Sequence, residues 1–154
     1  MTALNLPAFL PRLRKNEEDK VEVFDPLREK FVALTPEEQV RQAFVNYLIC
    51  HKGYPRNLMA NEVSLSLNGM KRRCDTVLYD LHLHPRMIIE YKRPTVSVTQ
   101  KVFDQISRYN IVMRVDYLIV SNGIGHYCCK MDYENQTFSF LRQIPDYAEL
   151  DARI

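Results

Sequence analysis

The segment Met87-Ile88-Ile89-Glu90-Tyr91-Lys92 constrains the fold more than any other part of the chain. A short apolar run followed by a proline, here Pro94, is typical of a buried strand that ends at that point. Because side chains alternate between the two faces of a strand, Glu90 and Lys92 share one face and Tyr91 lies on the other. A carboxylate and an amine at the end of a buried strand cost desolvation energy unless they are paired or bind something.

The segments around this strand predict a mixed sheet. Asn68-Gly69 is a strong hairpin signal, and a second turn at 82–85 leads into the strand that carries Glu90. The helical pattern at 96–113 then links that strand to a further one, which implies a crossover and a parallel pair. The predicted strands are 62–67, 71–81, 86–92, 116–120, 125–131 and 137–141. We therefore expect an α/β (α+β) fold with a mixed central sheet flanked by helices.

The first helix has a clear beginning. Thr35 is the expected N-cap, Pro36 takes the first helical position, and Glu38 is spaced to close a capping box. An apolar stripe follows at helical spacing, and Gly53 ends the helix. Glu37 lies near the edge of the stripe, so it is the acid expected to reach an interior site, with Glu38 capping. Alternatively, both acids simply favour the positive end of the helix.

Residues 1–30 are rich in prolines and lack helical periodicity, so we expect an extended arm with short structured pieces at 4–10 and 21–24. Its many apolar side chains predict that it packs on its own domain or on a second copy, which makes a homodimer conceivable. Residues 31–154 are expected to form a single domain, since a chain of 154 residues suffices for one core.

Composition narrows the class of protein. A formal net charge of +2 provides no general basic field, so any attraction for nucleic acid must be local. Two clusters, Lys71-Arg72-Arg73 and Lys92-Arg93, adjoin acidic residues and either contact DNA or are solvated strand ends. The four cysteines lack C-x-x-C spacing, which argues against structural zinc, and no signal peptide or long apolar run occurs. We expect a reducing, cytoplasmic location and no membrane contact.

Three residues on neighbouring predicted strands form the candidate site. Asp75 ends up beside the Glu90-x-Lys92 pair, and two acids with a lysine are the minimal set for metal-dependent phosphodiester cleavage. On the second helix, Gln105 and Tyr109 are predicted to lie one turn apart in the apolar stripe. A buried glutamine needs a partner, either a neighbouring backbone group or the Glu90 and Lys92 cluster.

The order of these elements resembles the PD-(D/E)xK nuclease superfamily, with its αβββαβ core. More narrowly, segments 35–42, 89–94 and 105–110, together with Asp75, are similar to the N-terminal nuclease domain of type I restriction enzyme R subunits. The resemblance implies a restriction-endonuclease-like fold and a DNA endonuclease that depends on Mg²⁺ or Mn²⁺.

The resemblance also implies roles for individual residues. Asp75, Glu90 and the backbone carbonyl of Tyr91 would hold the metal, and Glu37 would hold a ligand water or second ion. Lys92 would orient the attacking water and stabilise charge, because a lysine amine of ordinary pKa is a poor base at neutral pH. Gln105 and Tyr109 would correspond to an auxiliary motif that contacts DNA and steadies the site. Arg73 and Arg93, from the two basic clusters, are further candidates for DNA contact.

Two departures leave alternatives open. Cys74 stands where the superfamily pattern has proline, and no phosphate-binding loop of a helicase motor is present in the sequence. We expect the protein to act alone or with a separate targeting or motor subunit. One alternative is a non-catalytic nucleic-acid-binding or assembly module that retains the nuclease fold. Another is a small-molecule or metal-sensing enzyme that uses His82 and His84, although histidines beside a proline turn are more typical of a surface.

Overall fold

A computed structural model describes residues 3–150 of the chain, apart from the side chains of Tyr109, Asn110 and Val112. Three short strands come first and form a small antiparallel sheet, followed by helix α1 and then a larger sheet interrupted by helix α2. The small sheet and first helix comprise β1 (Leu13–Lys15), β2 (Val21–Asp25), β3 (Lys30–Ala33) and α1 (Pro36–His51). The remainder comprises β4 (Met59–Leu67), β5 (Met70–Tyr79), β6 (Pro85–Tyr91), α2 (Gln100–Met113), β7 (Tyr117–Ser121), β8 (His126–Asp132) and β9 (Thr137–Leu141).

The larger sheet has the predicted mixed topology. Its six strands lie in sequence order from β4 to β9, and every neighbouring pair is antiparallel except β6 and β7. That parallel pair is joined by the crossover through α2, as expected of two parallel neighbours. Helix α1 packs on the face that carries Ile89 and Tyr91, and α2 packs on the face that carries Leu118 and Val120. The α+β, αβββαβ arrangement is therefore confirmed.

Helix α1 begins and ends as predicted, with one difference at its start. The Thr35 hydroxyl accepts a hydrogen bond from the Glu38 N–H at 3.1 Å, and Gly53 follows the last turn with φ +73°. The second half of the capping box is missing, because the Thr35 N–H donates to the Ala33 carbonyl instead. The Glu38 carboxylate is thus available for other partners.

Helix α2 begins at Gln100, four residues later than predicted, and its buried face differs from the predicted stripe. The Thr99 hydroxyl accepts from the Val102 N–H at 3.2 Å and so caps the helix. The buried face is then formed by Phe103, Ile106 and Ser107. Gln105 is exposed, so its predicted place in the buried stripe was wrong.

The N-terminal residues contain more regular structure than expected, since β1 and β3 accompany β2, which falls on the predicted piece at 21–24. Leu4 and Leu6 pack against the core beneath α1, and the Asn5 N–H donates to the Gly123 carbonyl at 2.8 Å. Residues 13–33 then form the small sheet. Within the part of the chain that the structure describes, no helix is long and apolar enough to cross a membrane.

Candidate active site

Asp75 and Glu90 meet across β5 and β6. Thr76 pairs with Ile89, so the next position along the two antiparallel strands sets Asp75 opposite Glu90. Burial, followed by the nearby Asp75 carboxylate, raises the pKa of Glu90 to about 8, against the opposite effect of the Arg72 guanidinium. The two carboxyl groups lie close enough to share a hydrogen bond when Glu90 is protonated. Two acids held this close are unfavourable as a pair of anions unless a cation joins them.

The backbone departs from regular sheet geometry at Asp75. Asp75 pairs with neither β4 nor β6, although Cys74 and Thr76 on either side of it both pair with β4. Opposite it on β4, Glu62 has the left-handed φ of +57°. The Tyr91 N–H donates to Asp75 Oδ2 at 2.9 Å, and the Asp75 carbonyl accepts from Arg41 at 2.8 Å. Side chains therefore replace the sheet hydrogen bonds at this residue.

Arg72 is a member of the site that the sequence analysis did not single out. Its Nη2 lies 2.6 Å from Glu90 Oε1, and the two side chains are only 11% and 13% exposed. Its neighbour Arg73 points away, is 71% exposed, and pairs with Glu62 at 2.6 Å. Strand alternation places adjacent arginines on opposite faces, so the signal was present in the sequence, but we treated Lys71-Arg72-Arg73 as one basic cluster.

Lys92 follows directly after the end of β6. Its N–H donates to the Ser121 carbonyl of β7 at 2.8 Å, and its side chain is partly buried. Its ammonium charge acts on Glu90 and opposes the rise in the pKa of that acid. Arg93, the next residue, is exposed. Asp75, Glu90 and Lys92 are thus gathered at one edge of the sheet, where β6 ends beside its parallel neighbour.

The two acids at the start of α1 have the opposite orientations from those we predicted. Glu37 is exposed, whereas Glu38 is 5% exposed and accepts hydrogen bonds from Arg28, Arg41 and Gln42. The reason is tertiary: the N-terminal sheet, which carries Arg28 at its last turn, covers the helix flank that the sequence pattern assigned to solvent. Glu38 is therefore the inward helix acid, and Arg41 connects it to Asp75.

A series of ion pairs with alternating charges runs beneath Asp75 from the small sheet to β5. Each link is a hydrogen-bonded ion pair, and most of the side chains are largely buried. The members of this series are, in order, Asp25, Arg28, Glu38, Arg41, Glu62 and Arg73. Buried ion pairs repay their desolvation only when their geometry is good and their remaining donors are satisfied. Through Arg41, this network reaches the backbone carbonyl of Asp75.

A second set of hydrogen bonds, made mainly by uncharged side chains, connects Tyr91 to Asp25. The Tyr91 hydroxyl donates to Thr76 at 2.9 Å, Thr76 donates to Asn61 at 2.6 Å, and Asn61 donates to Asp25 at 2.8 Å. Burial raises the pKa of Tyr91 far above its usual range, so its hydroxyl remains a donor. Asp25 is thereby joined to the site through both sets.

The other predicted site residues lie elsewhere or outside the described part. Gln105 is exposed beside Lys101, Asp104 and Arg108 in an open depression on α2. The side chain of Tyr109 is outside the described residues. His82 and His84 are both exposed on the turn between β5 and β6. The structure therefore gathers the two acids and the lysine but does not bring Gln105 to them.

The donor set can be compared with what metals require. Among the described residues, no group of three or more His, Cys, Asp and Glu side chains is arranged to hold a metal ion. Two carboxylates do lie together, however, and Mg²⁺ is commonly bound through one or two carboxylates while it keeps several waters. An oxygen-only pair at the sheet edge, with Glu90 destabilised as an anion by its neighbour, fits Mg²⁺ or Mn²⁺ better than zinc.

Comparison with known proteins assigns the chain to a family. Residues 36–145 match the family described as the N terminus of the type I restriction enzyme R protein. The chain belongs to this family. The matched range begins at the first residue of α1 and continues past β9, and it contains Glu38, Arg41, Asp75, Glu90 and Lys92 of this chain.

A solved structure supports the same fold. It is the fragment structure of an HsdR subunit of a type I restriction enzyme from Vibrio vulnificus YJ016, with a TM-score of 0.54 and 19% sequence identity. The match covers 76% of this chain and 24% of that one, so this chain spans about a quarter of that fragment's length. None of the curated proteins compared with the chain matches it.

Proposed function

We propose that this chain is a metal-dependent deoxyribonuclease domain of the R-subunit type, which hydrolyses phosphodiester bonds in DNA. The observation that carries the proposal is the close pair of Asp75 and Glu90, with the pKa of Glu90 raised to about 8 by burial and by Asp75. Structural acids are normally held by cations or N–H donors that lower their pKa, whereas groups with perturbed pKa values concentrate at functional sites.

Asp75, Glu90 and the backbone carbonyl of Tyr91 are the proposed metal ligands. A bound Mg²⁺ or Mn²⁺ supplies charge neutralisation at the scissile phosphate and a more acidic water. The protein's own part is to keep both carboxylates at one edge of the sheet and to orient Asp75 through the Tyr91 N–H. Glu38 replaces Glu37 in this proposal as the helix acid, and it acts through Arg41.

Lys92 and Arg72 provide the positive charge of the site. Lys92 would orient the attacking water and stabilise the charge that develops on the phosphate. Arg72 pairs with Glu90 Oε1 at 2.6 Å, so a divalent cation bound here would compete with Arg72 for that oxygen. Arg73 and Arg93 are exposed and would contact the DNA backbone, with Gln105 and Tyr109 as proposed auxiliary contacts.

The test is incubation of the purified protein with supercoiled plasmid, with and without Mn²⁺. We expect nicking that requires the metal, that is lost in Asp75→Asn, and that falls roughly 10²-fold or more in Lys92→Ala. Both variants should keep the thermal unfolding midpoint of the parent within a few degrees. Nicking that is unchanged in Asp75→Asn would exclude this site as its source.

A second candidate function is a nucleic-acid-binding or assembly module without cleavage. The observation that favours it is the Arg72–Glu90 pair, in which an arginine of the protein neutralises one proposed ligand. The same experiment separates the two functions, since a binding module would retard plasmid or duplex DNA without nicking at any Mn²⁺ concentration. In either case, a separate targeting or motor subunit and a homodimer remain proposals.

A further inference from the structure

Arg41 is a buried and extensively hydrogen-bonded cation near the proposed site. It is 8% exposed, and four of its N–H groups have acceptors. Nε and Nη2 bind the two oxygens of Glu38 at 3.0 and 3.1 Å, and Nη2 also binds Glu62 at 2.7 Å. Nη1 donates to the backbone carbonyl of Asp75 at 2.8 Å. A single guanidinium thus joins helix α1 to two strands.

The bond to Asp75 occurs where the sheet itself provides no support. Asp75 pairs with neither β4 nor β6, and the Arg41 side chain supplies a donor for its carbonyl. Glu62, the residue opposite on β4, has a left-handed backbone and instead receives Arg41 and Arg73 on its side chain. Arg41 therefore provides at this position the hydrogen-bond donor that a neighbouring strand would normally provide.

Arg41 is itself held in one orientation. Burial opposes its charge, yet the Glu38 and Glu62 carboxylates raise the pKa of Arg41 well above its usual range. Glu38 is fixed in turn by Arg28 at 2.7 Å and by Gln42 at 3.0 Å. Rotation of the Arg41 guanidinium would leave buried acids without their partners, which is costly.

We propose that Arg41 is a positioning residue for Asp75: it fixes the Asp75 main chain so that the carboxylate meets the Tyr91 N–H and stands beside Glu90. The expected effect on metal binding rests on the function proposed above. The effect of Arg41 on the position of Asp75 does not depend on that function. Hydrogen bonds that orient metal ligands commonly change metal affinity by 10–100-fold when they are removed. Arg41 touches no reacting atom and acts through Asp75.

The test uses the metal-free full chain and the Tyr91 amide as its reporter. Hydrogen exchange of that amide, measured by NMR, reports its bond to Asp75 Oδ2, and the other amides of β6 serve as internal references. The variants are Arg41→Met, which removes the charge and all four bonds, and Arg41→Lys, which keeps the charge but lacks the planar fork. The matched control is Arg28→Met, which also removes a cation from Glu38, together with the pair to Asp25, but leaves the bond from Arg41 to the Asp75 carbonyl in place.

We expect Tyr91 exchange to accelerate at least tenfold relative to the β6 references in Arg41→Met, and less in Arg41→Lys. Arg28→Met should lose stability without this selective effect. In parallel, the Mn²⁺ dissociation constant, measured by titration with the metal alone, should rise at least tenfold in Arg41→Met. Should Arg41→Met not fold, Arg41→Lys decides.

The outcomes separate the two proposals. Unchanged relative exchange of Tyr91 in the folded Arg41 variants overturns the positioning role, whether or not the protein cleaves DNA. Selective acceleration of Tyr91 exchange supports that role even if the parent neither binds Mn²⁺ nor nicks plasmid, a result that would reject only the proposed nuclease function.

Discussion

At the scale of single residues, Glu90 is the clearest departure from ordinary surface chemistry. Its side chain is 13% exposed, lies beside Asp75 and has a pKa near 8, even with Arg72 at 2.6 Å. The metal-free protein therefore favours a protonated Glu90 at neutral pH, whereas an unfolded chain has it ionised. This difference links the stability of the fold to pH.

We predict that the metal-free protein loses stability as the pH rises from about 5 to 8. In this range the folded state retains a proton on Glu90 that the unfolded state has released, so the free energy of unfolding falls, by as much as a few kcal/mol in total. Asp25 and Glu62 have lowered pKa values, and their contributions are lost only at lower pH. Urea unfolding in EDTA at pH 5.5, 6.5 and 7.5 measures the slope.

The matched variant is Glu90→Gln, which keeps the shape of the side chain but cannot ionise. We expect its stability to vary much less over the same pH range. An equal slope in the parent and in Glu90→Gln would show that Glu90 is not the residue responsible.

Sequence spacing found Asp75, Glu90 and Lys92 because strand alternation and chain order suffice to place them at one edge. It did not find Arg41 or choose correctly between Glu37 and Glu38. Those choices depend on which flank of α1 the N-terminal sheet covers, and helix periodicity alone carries no such information. The irregular backbone at Asp75, which makes Arg41 necessary, also has no local sequence signal that we could identify.

At the scale of elements, the N-terminal segment is attached to the larger sheet at its β7–β8 turn. Gly123 in that turn has φ +86°, and its carbonyl accepts from the Asn5 N–H. A β-carbon at Gly123 would lie 2.7 Å from Leu4 Cδ2 and 3.1 Å from Val40 Cγ2. Glycine is therefore required here both by the backbone and by the close approach of Leu4.

Gly123→Ala should destabilise the protein by about 1–2 kcal/mol from the left-handed backbone alone, with a further loss as Leu4 is displaced. The control is Gly125→Ala in the same turn, where φ is not in the left-handed region and the nearest atom, on the Tyr127 ring, is 3.2 Å away. Urea unfolding measures both variants.

Combining Gly123→Ala with Leu4→Ala separates the two causes. If the contact with Leu4 matters, the double variant should be less destabilised than the sum of the single variants. Additive effects would instead assign the whole cost to the backbone of the turn.

The elements with strong local signals were predicted well: α1 from Thr35 and Pro36, the β4–β5 hairpin from Asn68-Gly69, and the crossover after Pro94. Helix α2 was begun too early because Val96 and Val98 continue its apolar pattern, while Thr99 is the actual cap. Strand β2 falls on the predicted piece at 21–24, whereas β1 and β3 were missed since they are short and partly exposed. Such strands depend on packing against α1 rather than on propensity.

At the scale of the whole molecule, the formal net charge is only +2, so any attraction for DNA must come from local groups of basic residues. Lys92, Arg93 and Arg73 lie close to Asp75 and Glu90 in sequence, and the two arginines are exposed. DNA binding, if the proposed function holds, should therefore depend on a few phosphate contacts near the end of β6.

Arg93→Gln should weaken binding of duplex DNA at all sequences and lower the slope of log affinity against log salt by about 1. The control is Lys15→Gln, which removes a 66% exposed cation from the N-terminal sheet. Fluorescence anisotropy over a range of salt concentrations measures both slopes. Equal effects of the two substitutions would mean that binding is non-local, contrary to this prediction.

The contact of Arg28 with Glu38, and of Asp25 with Asn61, has a practical consequence for anyone who shortens this protein. Trimming to the matched family range, which starts at residue 36, would discard Arg28 and Asp25 and leave Glu38 with one guanidinium fewer. A truncated version should therefore begin upstream of β2. If a shorter version were inactive, the loss of these supporting contacts would explain it, and the result would say nothing about the roles of Asp75 and Glu90.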